Sequence, residues 1–273
     1  MTDGRRLSVL GDRGGRWALG LDYCGQRYLG WQRQTHGATV QAVVEAALSM
    51  VAGAPVKVIA AGRTDTGVHA SLQIVHFDAP VARPASAWTR GALRYLPPDV
   101  TVRWAQPVAH DFHARFAARA RRYTYLLHCA PQRPGRLAGR VGWTHWPLSI
   151  ERLAAALPAL VGRHDFSSFR AAECQAKSPL KTIYQATLAQ RGDILRFDFC
   201  ADAYLHHMIR NILGALVYIG AGKAPTDWLA TLIDARDRTQ AAPTFAPDGL
   251  YLCGVEYDAG HGLPEDYVDP LPV

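Results

Sequence analysis

Two runs of alternating polar and apolar residues, 181–190 and 194–199, flank the tripeptide Arg191-Gly192-Asp193. Alternation with a period of two predicts β-strands, and a short break containing glycine between two such runs predicts a hairpin. Strands joined in this way pair antiparallel. The feature therefore argues against a sheet built only from parallel strands.

Further strands and helices are mixed along the chain. The clearest helix is 39–52, because its apolar residues recur at the spacing of one helical face and Thr39 is a suitable N-cap. A second strong amphipathic helix is predicted at 204–219. The other predicted strands are 17–23, 56–61, 72–77, 100–105, 121–129 and 249–257, and the other predicted helices are 86–96, 149–161 (kinked or shortened by Pro158) and 225–234.

Strands often follow one another directly in this order, which favours an α+β fold over a doubly wound parallel fold. We predict two α/β units, residues 16–108 and 109–258, that share one mixed, largely antiparallel sheet with flanking helices. The active-site cleft is expected between the two units. Residues 1–15, rich in Gly and Arg, are predicted to be a flexible lead-in, and residues 259–273 a loose tail.

The formal net charge of +7 on 273 residues favours a polyanionic partner. Most basic residues are arginine, which suits bidentate phosphate contacts and stacking on bases. Biased codon usage is the alternative source of this excess. The net charge alone is therefore explained either by a nucleic-acid partner or by codon usage.

The five cysteines are scattered and form no zinc-binding spacing. No secretory signal is visible at the start of the sequence, so reduced thiols and a cytoplasmic location are expected. No run approaches 18 consecutive apolar residues, and we expect no membrane span.

The run GRTDTGVHA, residues 62–70, places Asp65 between two glycines, directly after the predicted strand 56–61. Glycines allow tight turns, and a carboxylate held on such a turn is presented rather than buried. Beside Arg63, it can serve as a nucleophile or a base. His69 is a further candidate base or ligand. The alternative is that Asp65 only caps its own turn.

A second polar cluster, His206, His207 and Arg210, stands at the start of the predicted helix 204–219. Adjacent histidines on a helix point about 100° apart, which argues against a metal pair, and we expect no metal. Arg210 lies beside the apolar face of this predicted helix, and a charge in such a position needs a carboxylate partner. Asp65 is the candidate, and the pairing would orient its carboxylate.

Two further segments combine charge with other groups that suit RNA. Residues 112–125 interleave arginines with aromatic rings, which is typical of phosphate contact combined with base stacking. The alternative is an amphipathic strand with a solvated arginine face. Residues 169–179 form a polar loop that can contact phosphates, although its pattern alone is weak.

Together these segments resemble the bacterial tRNA pseudouridine synthase A family over roughly residues 16–258. The family's motifs are matched, in the expected order, by GRTDTGVHA, FHARF followed by ARRYTY, FRAAECQAKSP, AYLHHMIRNILG and APDGLYL. Two departures are visible: Thr66 stands where the family usually has alanine, and Leu93 where it usually has asparagine. Neither removes a reacting group.

The resemblance implies that Asp65 is the catalytic aspartate and that Arg210 is its salt-bridge partner. It also implies that Tyr123 stacks on the target uracil and assists proton removal from C5, and that Arg63 helps to flip the nucleotide out. It implies a homodimer acting on the anticodon arm of tRNA, at tRNA positions 38–40. The residues implied to contact RNA are Phe112, His113, Ala114, Arg115, Phe116, Gln175, Ala176, Lys177, Ser178 and Pro179.

Isomerisation of uridine oxidises nothing and hydrolyses nothing, so neither a cofactor nor a metal is expected. It also needs no second acid–base group at His69, which is therefore expected to support the loop rather than to act as a base or a ligand. The sequence leaves open whether Asp65 attacks C6, attacks C1′ or removes a proton from C2′. Two rival functions are a non-catalytic RNA-binding module that uses the same basic face and a metal hydrolase that uses Asp65, His69, His206 and His207.

Overall fold

The computed structural model describes residues 14–264 and 266–270, so most of the predicted lead-in lies outside the described residues. Within these residues the chain forms four α-helices, which are α1 (Val40–Ala52), α2 (Ile150–Ala156), α3 (Met208–Gly220) and α4 (Trp228–Ala235). The strands are β1 (Arg16–Tyr23), β2 (Ile59–Ala60), β3 (His69–Asp78), β4 (Val100–Pro107), β5 (Ala120–Cys129), β6 (Gly142–Thr144), β7 (Gly162–Asp165), β8 (Leu180–Arg191), β9 (Ile194–Ala201) and β10 (Leu250–Glu256).

All these strands belong to one mixed sheet. Its order is β4-β1-β3-β10-β5-β9-β8-β7, while β2 pairs with β3 and β6 pairs with β5. Most pairs are antiparallel, including the predicted hairpin of β8 and β9. The predicted α+β fold with a largely antiparallel sheet is therefore confirmed.

The last of the described strands, β10, lies in the middle of the sheet. It is antiparallel to β5 and parallel to β3, and the parallel ladder contains only two residue pairs, Tyr251 with His69 and Leu252 with Ala70. Strand β10 thus joins the strands of the first 107 residues to those of the later chain.

One continuous core contains side chains from both parts of the sheet and from the helices. Helix α3 packs against α2 and α4 and is buried almost all round, with Ile212, Leu213 and Leu216 fully enclosed. Each such side chain contributes roughly 1.5–3 kcal/mol through burial. No helix in the described part of the chain is long and apolar enough to cross a membrane.

Several predicted elements have different bounds. Helix α3 begins at Met208 rather than at residue 204, because His207 has a left-handed backbone (φ 61°) that an α-helix does not accommodate. The predicted strand 56–61 is reduced to β2. Helix α2 ends at Ala156 and passes into a 3₁₀ turn that contains Pro158. Thr39 occupies the N-cap of α1, but its side chain makes no capping hydrogen bond.

The segment that follows β10 is not loose where the structure describes it. The N–H of Val268 donates to the carbonyl of Cys253 at 2.8 Å, and its carbonyl accepts from the Ser71 hydroxyl at 2.6 Å. Arg196 also forms an ion pair with Asp269. These contacts fasten residues 266–270 to the sheet, which differs from the predicted loose tail.

Candidate active site

Asp65 lies on a tight turn between β2 and β3. The N–H of Val68 donates to the carbonyl of Asp65 at 3.1 Å, and Gly67 within this turn has φ +80°. Positive φ at the third position is typical of a type II turn and favours glycine. Thr66, the departure from the family pattern, has an exposed side chain in the same turn. A threonine is therefore accommodated there without displacing a packed group.

Buried polar contacts fasten the loop ahead of Asp65. The hydroxyl groups of Thr64 and Tyr23 lie 2.8 Å apart, and the amide of Gln73 donates to the carbonyl of Gly62 at 2.6 Å. Loss of one partner from such a buried hydrogen bond costs about 1–3 kcal/mol. The backbone that carries the carboxylate is therefore held rigidly.

Asp65 pairs with Arg210 as the sequence predicted. Nη1 of Arg210 lies 3.2 Å from Oδ2 of Asp65, and the two side chains are only 14% and 20% exposed. Arg210 is itself fixed, because its Nε donates to the carbonyl of Phe245 at 2.9 Å and its own carbonyl accepts from the N–H of Phe245. Partial shielding from water makes this attraction stronger than that of a surface ion pair.

His206 and His207 also face Asp65. Their Nε2 atoms lie 3.5 Å from Oδ1 and Oδ2 of Asp65, respectively, and their ring centroids are 4.0 Å apart. The prediction that the two histidines diverge is wrong, because both precede α3 and His207 is left-handed. Burial lowers the pKa of His207, although Asp65 acts in the opposite direction. These three residues could hold a metal ion.

Tyr123, on β5, is buried beside the loop. Its ring packs edge-to-face on Tyr204, with centroids 5.1 Å apart, and a methyl group added at Gly62 would lie 3.9 Å from its hydroxyl. Burial raises the pKa of Tyr123, and Tyr23 and Asp65 act in the same direction. At neutral pH the side chain is therefore a flat ring with an O–H donor, and a phenolate base is disfavoured.

His69 is fully buried and uses both ring nitrogens. Nδ1 accepts from the N–H of Gly25, and Nε2 lies 3.1 Å from the carbonyl of Asp248, to which it donates as the neutral tautomer. The ring stacks on Tyr251. Burial lowers the pKa of His69 to about 4, and Arg140 acts in the same direction. His69 therefore braces the fold and is not free to serve as a base or a ligand.

The segment 112–116 divides into buried and exposed side chains. Phe112 and Ala114 are fully buried, so the structure does not support RNA contact through these two side chains. Phe116 is 76% exposed, and its ring stacks on His113 at 4.3 Å. The guanidinium of Arg115 lies 5.6 Å from the same ring. What remains is the half-buried ring of His113, the exposed ring of Phe116 and the exposed cation of Arg115.

The other predicted RNA-contact loop lies beside the carboxylate. Nη1 of the exposed Arg63 donates to Oε1 of Gln175 at 3.3 Å, and the N–H of His206 donates to Sγ of Cys174 at 3.4 Å. These contacts connect the loop both to the Asp65 turn and to the histidine pair. Its exposed members are Gln175, Lys177 and Ser178, whereas Ala176 and Pro179 are half-buried.

Three supporting residues were assigned no role from the sequence. Tyr23 and Gln73 fasten the Asp65 loop. Asn211, fully buried next to Arg210, donates to the carbonyl of Phe169 and accepts from the Thr244 hydroxyl and from Arg238. The sequence offered one signal for Asn211, which is a polar residue within a continuous apolar run. Such a residue is buried with its neighbours and therefore needs hydrogen-bond partners.

The arrangement supplies a rigidly held, partly open carboxylate with a guanidinium on one oxygen. A carboxylate in this setting can attack an electrophilic carbon or accept a proton. The neighbouring Tyr123 is a planar aromatic group of which 9% is exposed. The exposed cations Arg63, Arg115 and Lys177 and the exposed ring of Phe116 suit a nucleic acid.

This chain is similar to known proteins of one family. A family model described as tRNA pseudouridine synthase matches residues 21–117 and 156–258. A protein named tRNA pseudouridine synthase A from Dechloromonas aromatica (strain RCB) is 58% identical over 259 residues, covering 94% of this chain and 99% of that protein. One of the same name from Neisseria meningitidis serogroup B (strain ATCC BAA-335 / MC58) is 54% identical over 249 residues, covering 91% and 94%.

Among solved structures, a chain of the archaeal box H/ACA sRNP Nop10-Cbf5 complex matches 74% of this chain, with a TM-score of 0.36 and 11% identity. This chain covers 43% of that one.

Proposed function

The chain belongs to the tRNA pseudouridine synthase family, and we propose that it isomerises uridine in the anticodon arm of tRNA, at tRNA positions 38–40, through Asp65 and without a cofactor. The family converts uridine to pseudouridine, so the chain is an isomerase. The site of action, the reacting residue and the independence from a cofactor are the proposal.

The observation that carries the proposal is the ion pair between Asp65 and Arg210. Its carboxylate stands on a rigid turn and its guanidinium on the first turn of α3, 3.2 Å away. Arg210 compensates one oxygen of the carboxylate and leaves Oδ1 without a guanidinium contact at this site. A partly desolvated, oriented carboxylate is what an attack on carbon or a proton abstraction requires.

The reaction needs little besides this group. The N1–C1′ bond breaks, the base turns, and a C5–C1′ bond forms, while C5 loses a proton and N1 gains one. No electrons are gained or lost overall, so the proposed chemistry uses no redox cofactor. Attack on C6, attack on C1′ and removal of the C2′ proton all draw on the same carboxylate.

Tyr123 and Arg63 serve the substrate in this proposal. The Tyr123 ring holds the uracil by stacking, and its protonated hydroxyl makes it a donor rather than the base that accepts the C5 proton. Arg63 is exposed at the start of the loop, where it can fill the space that a flipped nucleotide leaves. Unstacking a nucleotide costs a few kcal/mol, which contacts of this kind offset.

We propose that the tRNA backbone lies along the exposed residues Arg115, Phe116, Lys177 and Ser178. A surface that neutralises phosphates releases counterions on binding, so affinity should fall linearly with salt on a logarithmic scale. The protein is further proposed to act in the cytoplasm as a homodimer that contacts one tRNA with both subunits. The five cysteines are free thiols, which agrees with a reducing compartment.

Tritium release from the uracil C5 of unmodified tRNA tests the proposal directly. We expect release without added cofactor and mapping of the product to positions 38–40. Asp65→Asn should lower turnover by at least about a thousandfold while tRNA affinity is retained, because the amide keeps the shape and loses the reactive oxygen. Asp227→Asn, in the N-cap of α4, is the matched control. No tritium release by the wild type, with tRNA affinity unchanged in Asp65→Asn, would indicate a binding module instead.

A further inference from the structure

We propose that Asp65, His206 and His207 form a reversible binding site for Zn²⁺ or a similar divalent metal ion, and that the bound ion inhibits the isomerase reaction. Binding stands on the geometry of the three side chains. The block rests on the proposed function, because it assumes that Asp65 reacts with the substrate.

The spacing of the three side chains fits a tetrahedral ion. One ligand atom from each residue lies within 4.8 Å of the other two, and each histidine Nε2 is 3.5 Å from an oxygen of Asp65. Tetrahedral zinc with bonds of about 2.0–2.1 Å separates its ligand atoms by about 3.4 Å. Small rotations of the side chains therefore suffice to close the site, and its fourth position is left for water.

The backbone directs both imidazoles to the carboxylate. His207 has φ 61°, one of the two positive values among the described non-glycine residues. Such a conformation costs about 1–2 kcal/mol and persists only where the surroundings enforce it. Here it reverses the chain just before α3, so consecutive histidines converge instead of pointing about 100° apart as they would on a helix.

The donor set selects the class of ion. Two imidazoles and one carboxylate suit Zn²⁺, Ni²⁺ and Cu²⁺, whereas Mg²⁺ and Ca²⁺ prefer oxygen ligands. The side chains of Asp65, His206 and His207 are 20%, 37% and 26% exposed, so an ion can enter and leave without unfolding. Arg210 shares the carboxylate and repels a cation, which keeps the binding weak and reversible.

Occupancy has one consequence for the reaction. An oxygen of Asp65 that is bonded to the ion can neither attack the substrate nor accept a proton. The ion also fills the space in front of the carboxylate, where the target nucleotide has to lie. Zinc is therefore expected to inhibit by competing with tRNA, and a chelator should restore turnover.

Calorimetric titration with Zn²⁺ in the absence of tRNA tests the site itself. We expect one ion per chain, no binding of Mg²⁺, and a loss of affinity of about tenfold or more for His206→Ala and for His207→Ala. His36→Ala, which removes an exposed histidine of a surface loop, is the control and should bind as the wild type does. Thermal melts of each variant establish that it is folded.

Two results would overturn the proposal: the absence of zinc binding by the wild type, or equal affinity in the wild type and both folded variants. In the tritium assay, zinc should suppress wild-type turnover, and EDTA should reverse the effect. The turnover of His206→Ala and of His207→Ala is measured with and without zinc. Each variant should need about tenfold more zinc than the wild type for the same fractional suppression. If no tritium is released even without zinc, the proposed function fails, while the titration still decides the site.

Discussion

The buried imidazole of His69 makes the stability of the fold depend on pH. Its pKa is about 4 in the folded protein, against 6.5 for an ordinary histidine. Between these values the unfolded chain binds a proton that the folded protein excludes. The contribution of His69 to stability is therefore complete above pH 6.5 and is lost as the pH falls towards 4.

The magnitude follows from the two pKa values. At pH 5 the unfolded chain gains about 2 kcal/mol relative to the folded protein from this one group, and at pH 7 it gains almost nothing. For a chain of this length such a loss corresponds to a fall in melting temperature of about 4 °C or more. Other groups titrate in the same range, so the effect has to be isolated by a variant.

His69→Gln supplies the comparison. Its amide can donate to the carbonyl of Asp248 and accept from the N–H of Gly25, as the imidazole does, but it has no proton to gain. Urea unfolding of both proteins at pH 7 and pH 5 should show a loss that is about 2 kcal/mol smaller in the variant. Equal losses in the two proteins would refute a neutral, buried His69.

Three further outcomes are expected. Gly67→Ala should lose about 1–2 kcal/mol of stability and most of its turnover, because it forces a side chain to φ +80° against Pro247. The control Gly53→Ala, at φ +69° with open space around it, should keep its turnover. Urea unfolding measures the loss of stability, and tritium release measures the loss of turnover. Phe112→Ala should cost about 3–5 kcal/mol of stability, and Phe116→Ala less than about 0.5 kcal/mol. Only Phe116→Ala should weaken tRNA binding, by about 1–3 kcal/mol. Equal behaviour of the two variants in unfolding and in binding titrations would contradict this prediction. Asn211→Ala should destabilise the protein by about 2–3 kcal/mol, because Arg238 and the carbonyl of Phe169 lose their partner. A change in the free energy of unfolding that lies within the error of urea unfolding would show that water replaces the amide.

The sequence predicts most of the sheet because alternation and helical periodicity report one-sided burial, which is a local property. It also predicts the pairing of Asp65 with Arg210, since a charge at the edge of an apolar helix requires a partner. It fails at His206 and His207, where the same periodicity continues through a left-handed residue that only tertiary packing enforces. It likewise cannot separate Phe112 from Phe116, because both stand in one polar and aromatic run, and only the assembled core shows which ring it encloses.

The position of β10 has a consequence for synthesis of the protein. The chain makes β3 and β5 first, and the strand that lies between them leaves the ribosome more than 100 residues after β5 ends. Until then, both strands have unpaired edges, which favour association with other chains. Asp65 and Arg210, carried by the two parts that β10 joins, also lack the framework that brings them together. Chains that stop before residue 250 are therefore expected to aggregate and to be inactive, so that only chains that include β10 can modify their substrate.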